Sequence, residues 1–378
     1  MTMLRAGIAW HVFALTKSPF YLGLVGLVQF LPALGLVLVG GAVADVHDRR
    51  AILATAQSVV LVAASVLLVA TWRGWVTLPL LYAVVVIVAC AAAFDGPARA
   101  SMLPSLVPRE VFPRAVTIAA TNQALSFATG PALGGVLIAA AGIEALYAAY
   151  ALLLCGSLVG LFDLGPRPPA RTTTRRAVDV DSIRAGVRFV RRQPVVLGCM
   201  TLDMLAVIFG GATALLPVYA DQILQVGPRG YGLLASSAEV GALATSLALV
   251  MLPPVRRAGG VLLAAVAVYG IATIVFGVSR WFPLSIGAYV LVGIADQVSV
   301  VMRGTAIQLA TPDEMRGRVS AVNLLFIGAS NQLGAAESGF LAACTSATFA
   351  VVGGGVACLL VVVAVAITLP ALRRYQVA

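Results

Sequence analysis

The sequence predicts an all-α polytopic membrane protein built from two related six-helix bundles. Three observations predict it. Of 378 residues, 61% are hydrophobic and 11% are charged, where a soluble domain carries about 25% charged residues. The mean hydropathy is +1.01, and a soluble fold of this composition would expose apolar patches that soluble monomers avoid. Apolar stretches of spanning length then follow one another along the chain, and the second half repeats polar and small positions of the first at an offset of 204 residues.

The apolar stretches run over 20–44, 51–70, 78–100, 115–141, 143–163, 195–220, 230–252, 259–279, 282–306, 319–342 and 347–370. Each is near the ~20 residues that cross a ~30 Å hydrocarbon core. Backbone polar groups in lipid must be satisfied within the segment, so each is expected to be a helix. Ahead of them stands "MTMLRAGIAWHVFALTKSPF". It is too short to span and has no small-residue cleavage site after a clean apolar core, so it is not a signal peptide. It reads as the second half of a first helix truncated at the N-terminus. The organisation expected is an N-terminal bundle over 1–163 with helix 1 partial, a cytoplasmic linker over 164–193, and a C-terminal bundle over 194–378.

The linker begins rich in Pro, Thr and Arg and reads as flexible. Within it, "DSIRAGVRFVRR" places Ile183, Val187 and Val190 on one helical stripe with arginines opposite. Two readings stand: a helix lying on the anionic inner leaflet, or a solvated linker with a topogenic charge run. Taken alternately, the polar breaks hold four basic residues on one side of the membrane and eighteen on the other. That bias places the second set, with the central loop and C-terminus, in the cytoplasm of a prokaryotic plasma (inner) membrane. The net charge of +10 is therefore topological and gives no reason to invoke nucleic acid.

Other chemistries find no support. Cys90, Cys155, Cys199, Cys344 and Cys358 sit in apolar runs without CxxC spacing and read as small hydrophobes. His11 and His47 have no metal-ligand spacing. Gly353, Gly354 and Gly355 precede no GK[ST], so no nucleotide site is expected. No metal, no cofactor and no catalytic constellation of an enzyme is expected.

At the 204-residue offset Arg99 falls on Arg303, Pro108 on Pro312, Glu110 on Glu314, Arg114 on Arg318, Gly130 on Gly334 and Gly135 on Gly339. Repeats joined by a central loop are how many secondary transporters are built. Into this frame fits "GGAVADVHDRRA" (Gly40 to Ala51), a dense charge cluster at the inner end of the second helix. One reading is a plain topogenic cluster. The other is a resemblance: it is similar to the loop signature of the major facilitator superfamily, Gly-x3-Asp-[Arg/Lys]-x-Gly-[Arg/Lys]-[Arg/Lys]. Gly41, Asp45, Arg49 and Arg50 match, while Val46 and Asp48 depart from it. The segments "FDGPARASMLPSLVPRE", "GPALGG", "TPDEMRGRVSAVN" and "FIGASNQLGAAESG" also resemble signatures of the branch holding drug:proton antiporters and enterobactin-exporter-like proteins. The resemblance covers most of the chain and implies the major facilitator fold and alternating access. It also implies that Asp45 latches the cytoplasmic side, with Glu314, Arg316 and Arg318 as the second-half gate.

Ionisable groups in the hydrocarbon are costly and each is a functional hypothesis. Asp95 and Arg99, four apart, are expected to share a helix face. Asp296 and Arg303, two turns apart, are expected to form the corresponding pair. The functional reading makes Asp95, Asp296 or Glu337 the proton carrier with Arg99 and Arg303 as charge partners; the other makes both pairs structural salt bridges. Arg5, Asp203 and Asn331 are cavity candidates, and Asp203 is a possible partner for Arg5. Glu239 reads equally as cavity-lining or as hydrogen-bonded to a neighbouring helix. The expected function is secondary active efflux, proton antiport of a small amphipathic compound such as a drug, by a monomer whose partners are that substrate, protons and the lipid bilayer. The competing expectations are a selective siderophore or metabolite exporter, and a non-transporting or inactive truncated membrane protein.

Overall fold

In the computed structural model, residues 1–108, 110–164, 180–253, 255 and 257–376 are described, with the side chain of Asp45 outside that set. Arg109 and Arg256 of the basic breaks lie outside the described residues. The described chain is helical throughout and contains no strand: α1 (Thr2–Thr16), α2 (Pro19–Val46), α3 (Arg49–Trp72), α4 (Leu78–Leu106), α5 (Phe112–Asp163), α6 (Val180–Arg192), α7 (Pro194–Gly210), α8 (Leu216–Val218), α9 (Gly227–Met251), α10 (Ala258–Val278), α11 (Phe282–Leu309), α12 (Asp313–Cys344), α13 (Ala347–Thr368) and α14 (Pro370–Arg373). Eight helical segments among them are long and apolar enough to cross a membrane.

Local chemistry sets the ends. Asp48 has extended backbone and its carboxylate accepts from the Arg50 N–H at 2.9 Å, so it N-caps α3. Ser346 caps α13 in the same way through the Phe349 N–H, 3.1 Å away. The expected spans 115–141 and 143–163 are two helical segments within α5, separated by a kink at Gly142, whose φ of 83° is open to glycine at little cost. α12 begins at Asp313, before the expected apolar limit. Asp313 and Glu314 lie in its first turn, where carboxylates favour the positive end of the helix dipole.

The chain divides into two compact units, residues 1–15 with 28–178, and 16–27 with 179–378. The division differs from a cut at the linker in two places. The start of α2 belongs to the second unit because Gly23 and Gly26 bring its backbone against α12 at Gln332, Ala336 and Gly339. Lys17, at φ 51°, reaches Asp221 at 2.8 Å. α6 belongs to that unit too: Gly186 lies against the backbone of Arg318, and Val190 is buried in the core formed by Met200, Leu202, Leu262 and Val319. Of the apolar stripe of this linker helix, Val190 is covered by protein and Val187 is exposed, with the Ile183 side chain outside the described residues; Arg188, Arg191 and Arg192 are exposed.

Each unit repeats one packing device. Gly130 lets α5 approach Thr2 and Met3 of α1, and Gly334, its repeat partner, lets α12 approach Val207 and Ile208 of α7. Small residues at such contacts let membrane helices pack closely.

Candidate transport site

In the first unit, α4 presents Asp95 and, one turn on, Arg99. The guanidinium Nη2 donates to both carboxylate oxygens at 3.0 Å and Nε donates to one at 3.2 Å. Asp95 is buried, whereas the Arg99 side chain is 64% exposed. Tyr150, buried on α5, lies within electrostatic range of Asp95, Arg99 and Arg5. Arg5 itself is exposed on α1. The structure therefore brings three of the sequence candidates, Arg5, Asp95 and Arg99, around one tyrosine that the sequence reading passed over.

In the second unit, Arg303 of α11 pairs with Asp203 of α7, both side chains nearly buried at 6% and 13% exposed. This corrects the expected Asp296–Arg303 pair, and it also occupies the acid offered as a partner for Arg5. The reason is geometric. Residues seven apart share a face but stand two turns apart, some 10 Å along the axis, whereas α7 packs directly on α11. Asp296 has no ion pair among the described residues. It lies within electrostatic range of Glu239, Tyr269 and Tyr289. The two tyrosines are fixed against the α7 end: Tyr269 Oη donates to the Gly210 carbonyl at 3.1 Å, and Tyr289 Oη lies 2.9 Å from Thr213 Oγ1.

The remaining candidates are more local. Asn331 donates to the Ile327 carbonyl of its own helix at 2.9 Å. Glu337 accepts from the Ser338 hydroxyl at 3.3 Å. In the Gly40 to Ala51 motif, Arg50 Nε donates to the Leu161 carbonyl at 2.9 Å and Nη2 to the Phe162 carbonyl at 2.6 Å. Its guanidinium also lies over the Phe162 ring, so Arg50 closes the C-terminal end of α5. Gly41 has open space where a side chain would project. In the second-half gate, Arg316 pairs with Asp313 at 2.8 Å and Arg318 Nη1 approaches the Met315 sulfur at 3.2 Å. Glu314 makes no ion pair among the described residues. No group of three or more metal-ligating side chains occurs among the described residues.

These features, helices of membrane length with charged pairs placed inside them, meet an independent finding: residues 1–377 match the family described as transmembrane secretion effector. The chain belongs to that family. The chain is 25% identical over 375 residues to the enterobactin exporter EntS of Escherichia coli, covering 99% of this chain and 89% of the relative. The same identity and coverage hold for EntS of Escherichia fergusonii. Among solved structures, its fold is similar to a bacterial homolog of the human lysosomal transporter Spinster (TM-score 0.72, 14% identity, 98% and 93% of the two chains). It is also similar to the nucleoside transporter NupG (0.72, 14%, 99% and 97%) and to a peptide transporter POT in complex with sulfate (0.75, 12%, 99% and 93%). The chain is thus a multi-pass transporter of the major facilitator type, and not an enzyme.

Proposed function

We propose that this protein is a proton-coupled exporter of a small amphipathic compound, working by alternating access in the inner membrane of a prokaryote. The observation that carries the reading is the Asp95–Arg99 pair: a buried intramembrane carboxylate held by an arginine whose other face is open. A proton arriving on Asp95 would cancel the carboxylate charge and release Arg99. A proton leaving would restore the pair. Asp296 and Glu337, which have no ion pair among the described residues, are the other carrier candidates. The arginine bias between the two sets of breaks supports a cytoplasmic linker and C-terminus, and the chain is proposed to act as a monomer with protons and lipid as partners.

A second reading, a selective siderophore or metabolite exporter, is favoured by one observation. Arg5 and Arg99 are both exposed, and among the described residues the acid paired with either is Asp95, on Arg99, which suits cargo with an anionic group. The name of the relative, an enterobactin exporter, agrees with it.

The test is accumulation of dyes, drugs and siderophores in a host stripped of its own efflux pumps. Proton-driven export predicts lower accumulation that is reversed by a protonophore and by Asp95→Asn. Lower accumulation indifferent to both would remove Asp95 as the coupling group. Activity confined to siderophores would select the second reading.

A further inference from the structure

The first unit carries a buried titratable pair that the coupling reading does not use. His11 Nδ1 of α1 and Tyr147 Oη of α5 lie 2.9 Å apart, and both residues are buried. On the far side of this pair from Asp95 stands Glu144. Its carboxylate packs over Gly142, where a Cβ would come within 2.5 Å of Oε2. Glu144 is close enough to act electrostatically on both His11 and Tyr147. Glu144, Tyr147 and Tyr150 follow one another at three-residue spacing along α5, which makes their side chains neighbours on successive turns. Tyr150 in turn stands within range of the Asp95–Arg99–Arg5 group.

We propose that Glu144, His11, Tyr147 and Tyr150 form a proton path through the first unit, from the arginine-poor side of the membrane to Asp95. The proposal rests on Asp95 being the coupling carboxylate. Each group supplies what a relay needs. Glu144 collects a proton at the end of the span. An imidazole can take a proton on one ring nitrogen and give one up from the other. A phenol can accept on its oxygen while its own proton moves on. The transfer balances: a proton received at His11 Nε2 makes the ring cationic, and the Nδ1 proton passes to Tyr147 Oη. The original Tyr147 hydroxyl proton moves to Tyr150 and from there to the Asp95 carboxylate. One proton enters at Glu144, one arrives at Asp95, and the Asp95–Arg99 ion pair opens. The groups facing His11 across this path are Tyr147 and Glu144 from α5; the charged group of its own helix is Arg5, six residues away. Gly7 of α1 packs against Leu146 beside the path, which places apolar packing next to the polar groups.

The experiment is a pH jump on the purified full chain in lipid, followed by time-resolved infrared spectroscopy of the protonated carboxyl band that Asp95→Asn removes. The proton itself is the probe. Tyr147→Phe deletes only the hydroxyl, and His11→Phe keeps an aromatic ring in the core; monodispersity on size exclusion checks folding of both. The path predicts that each variant slows appearance of the Asp95 band by about a hundredfold, the scale that one positioned proton-transfer group contributes. The final amplitude of the band should stay unchanged. Glu144→Gln should slow it as well. Wild-type rates in folded Tyr147→Phe and His11→Phe would overturn the path while leaving Asp95 as coupling group. If no band depends on Asp95, the coupling reading fails, and the path loses its end point with it.

Discussion

Arg99 and Arg303 occupy the same position in the repeat, yet their surroundings differ, and that difference has a measurable consequence. In the second unit both members of Asp203–Arg303 are nearly out of contact with solvent, at 13% and 6% exposure. Removing Arg303 as Met strands a carboxylate in a low-dielectric core. Breaking a buried pair from one side costs about 3–5 kcal/mol, roughly a 10 °C fall in Tm for a folding unit of about 200 residues. Asp203→Asn strands the guanidinium and should cost a similar amount. The double variant Asp203→Leu/Arg303→Met removes both charges together and should recover most of the loss, because an apolar replacement also removes the desolvation cost. By contrast Arg99→Met removes a guanidinium that is itself largely exposed, although Asp95 stays buried. With Arg99 64% exposed, the discounted cost is about 1 kcal/mol or less. Thermal unfolding of the four variants in one detergent reads all of this. The reasoning fails if Arg303→Met is as mild as Arg99→Met, or if the double variant is no more stable than the worse single one.

Other outcomes follow from single contacts. Asp48→Ala removes the cap of α3 and should cost about 1 kcal/mol, seen as a Tm fall that Asp48→Ser largely restores. Gly334→Ala points a methyl at the Val207 carbonyl, 2.6 Å away, and should lower folded yield on size exclusion. Gly328→Ala, in the same helix, meets nothing within 4 Å and should be neutral or stabilising by up to about 1 kcal/mol through helix propensity. Lys17→Ala breaks a pair 56% and 27% exposed, so its effect on Tm should stay within about 1 kcal/mol.

The helices were legible because lipid leaves the backbone few choices: apolar length alone locates α3, α4, α10 and α13. The Asp95–Arg99 pair was legible for the same reason, since four residues on one helix fix a shared face without knowledge of any neighbour. The Asp203–Arg303 pair was not. It joins residues 100 positions apart, and no spacing rule links α7 to α11. The placement of residues 16–27 with the second unit was hidden likewise, because Gly23 and Gly339 announce close packing but not the partner. Tyr147 and Tyr150 were in plain view in "LYAAYALLL", two polar-tipped rings at three-residue spacing within an otherwise aliphatic run. Their weight appears only once His11 and Asp95 are seen beside them.

The repeat supplies a frame, and the frame has been put to different uses. Gly130 and Gly334 perform the same task in the two units, seating α5 on α1 and α12 on α7. The arginine at the shared position does not. In the second unit it is enclosed by an acid from another helix, an arrangement that protonation would disrupt at a large cost in stability. In the first it is held by an acid of its own helix and left half open, an arrangement that protonation can undo at small cost. A coupling group must change state in every cycle, so the cheaper pair is the better carrier. That argument favours Asp95 over Asp203 before any transport is measured, and it ties the stability ranking of Arg99→Met and Arg303→Met to the assignment of function.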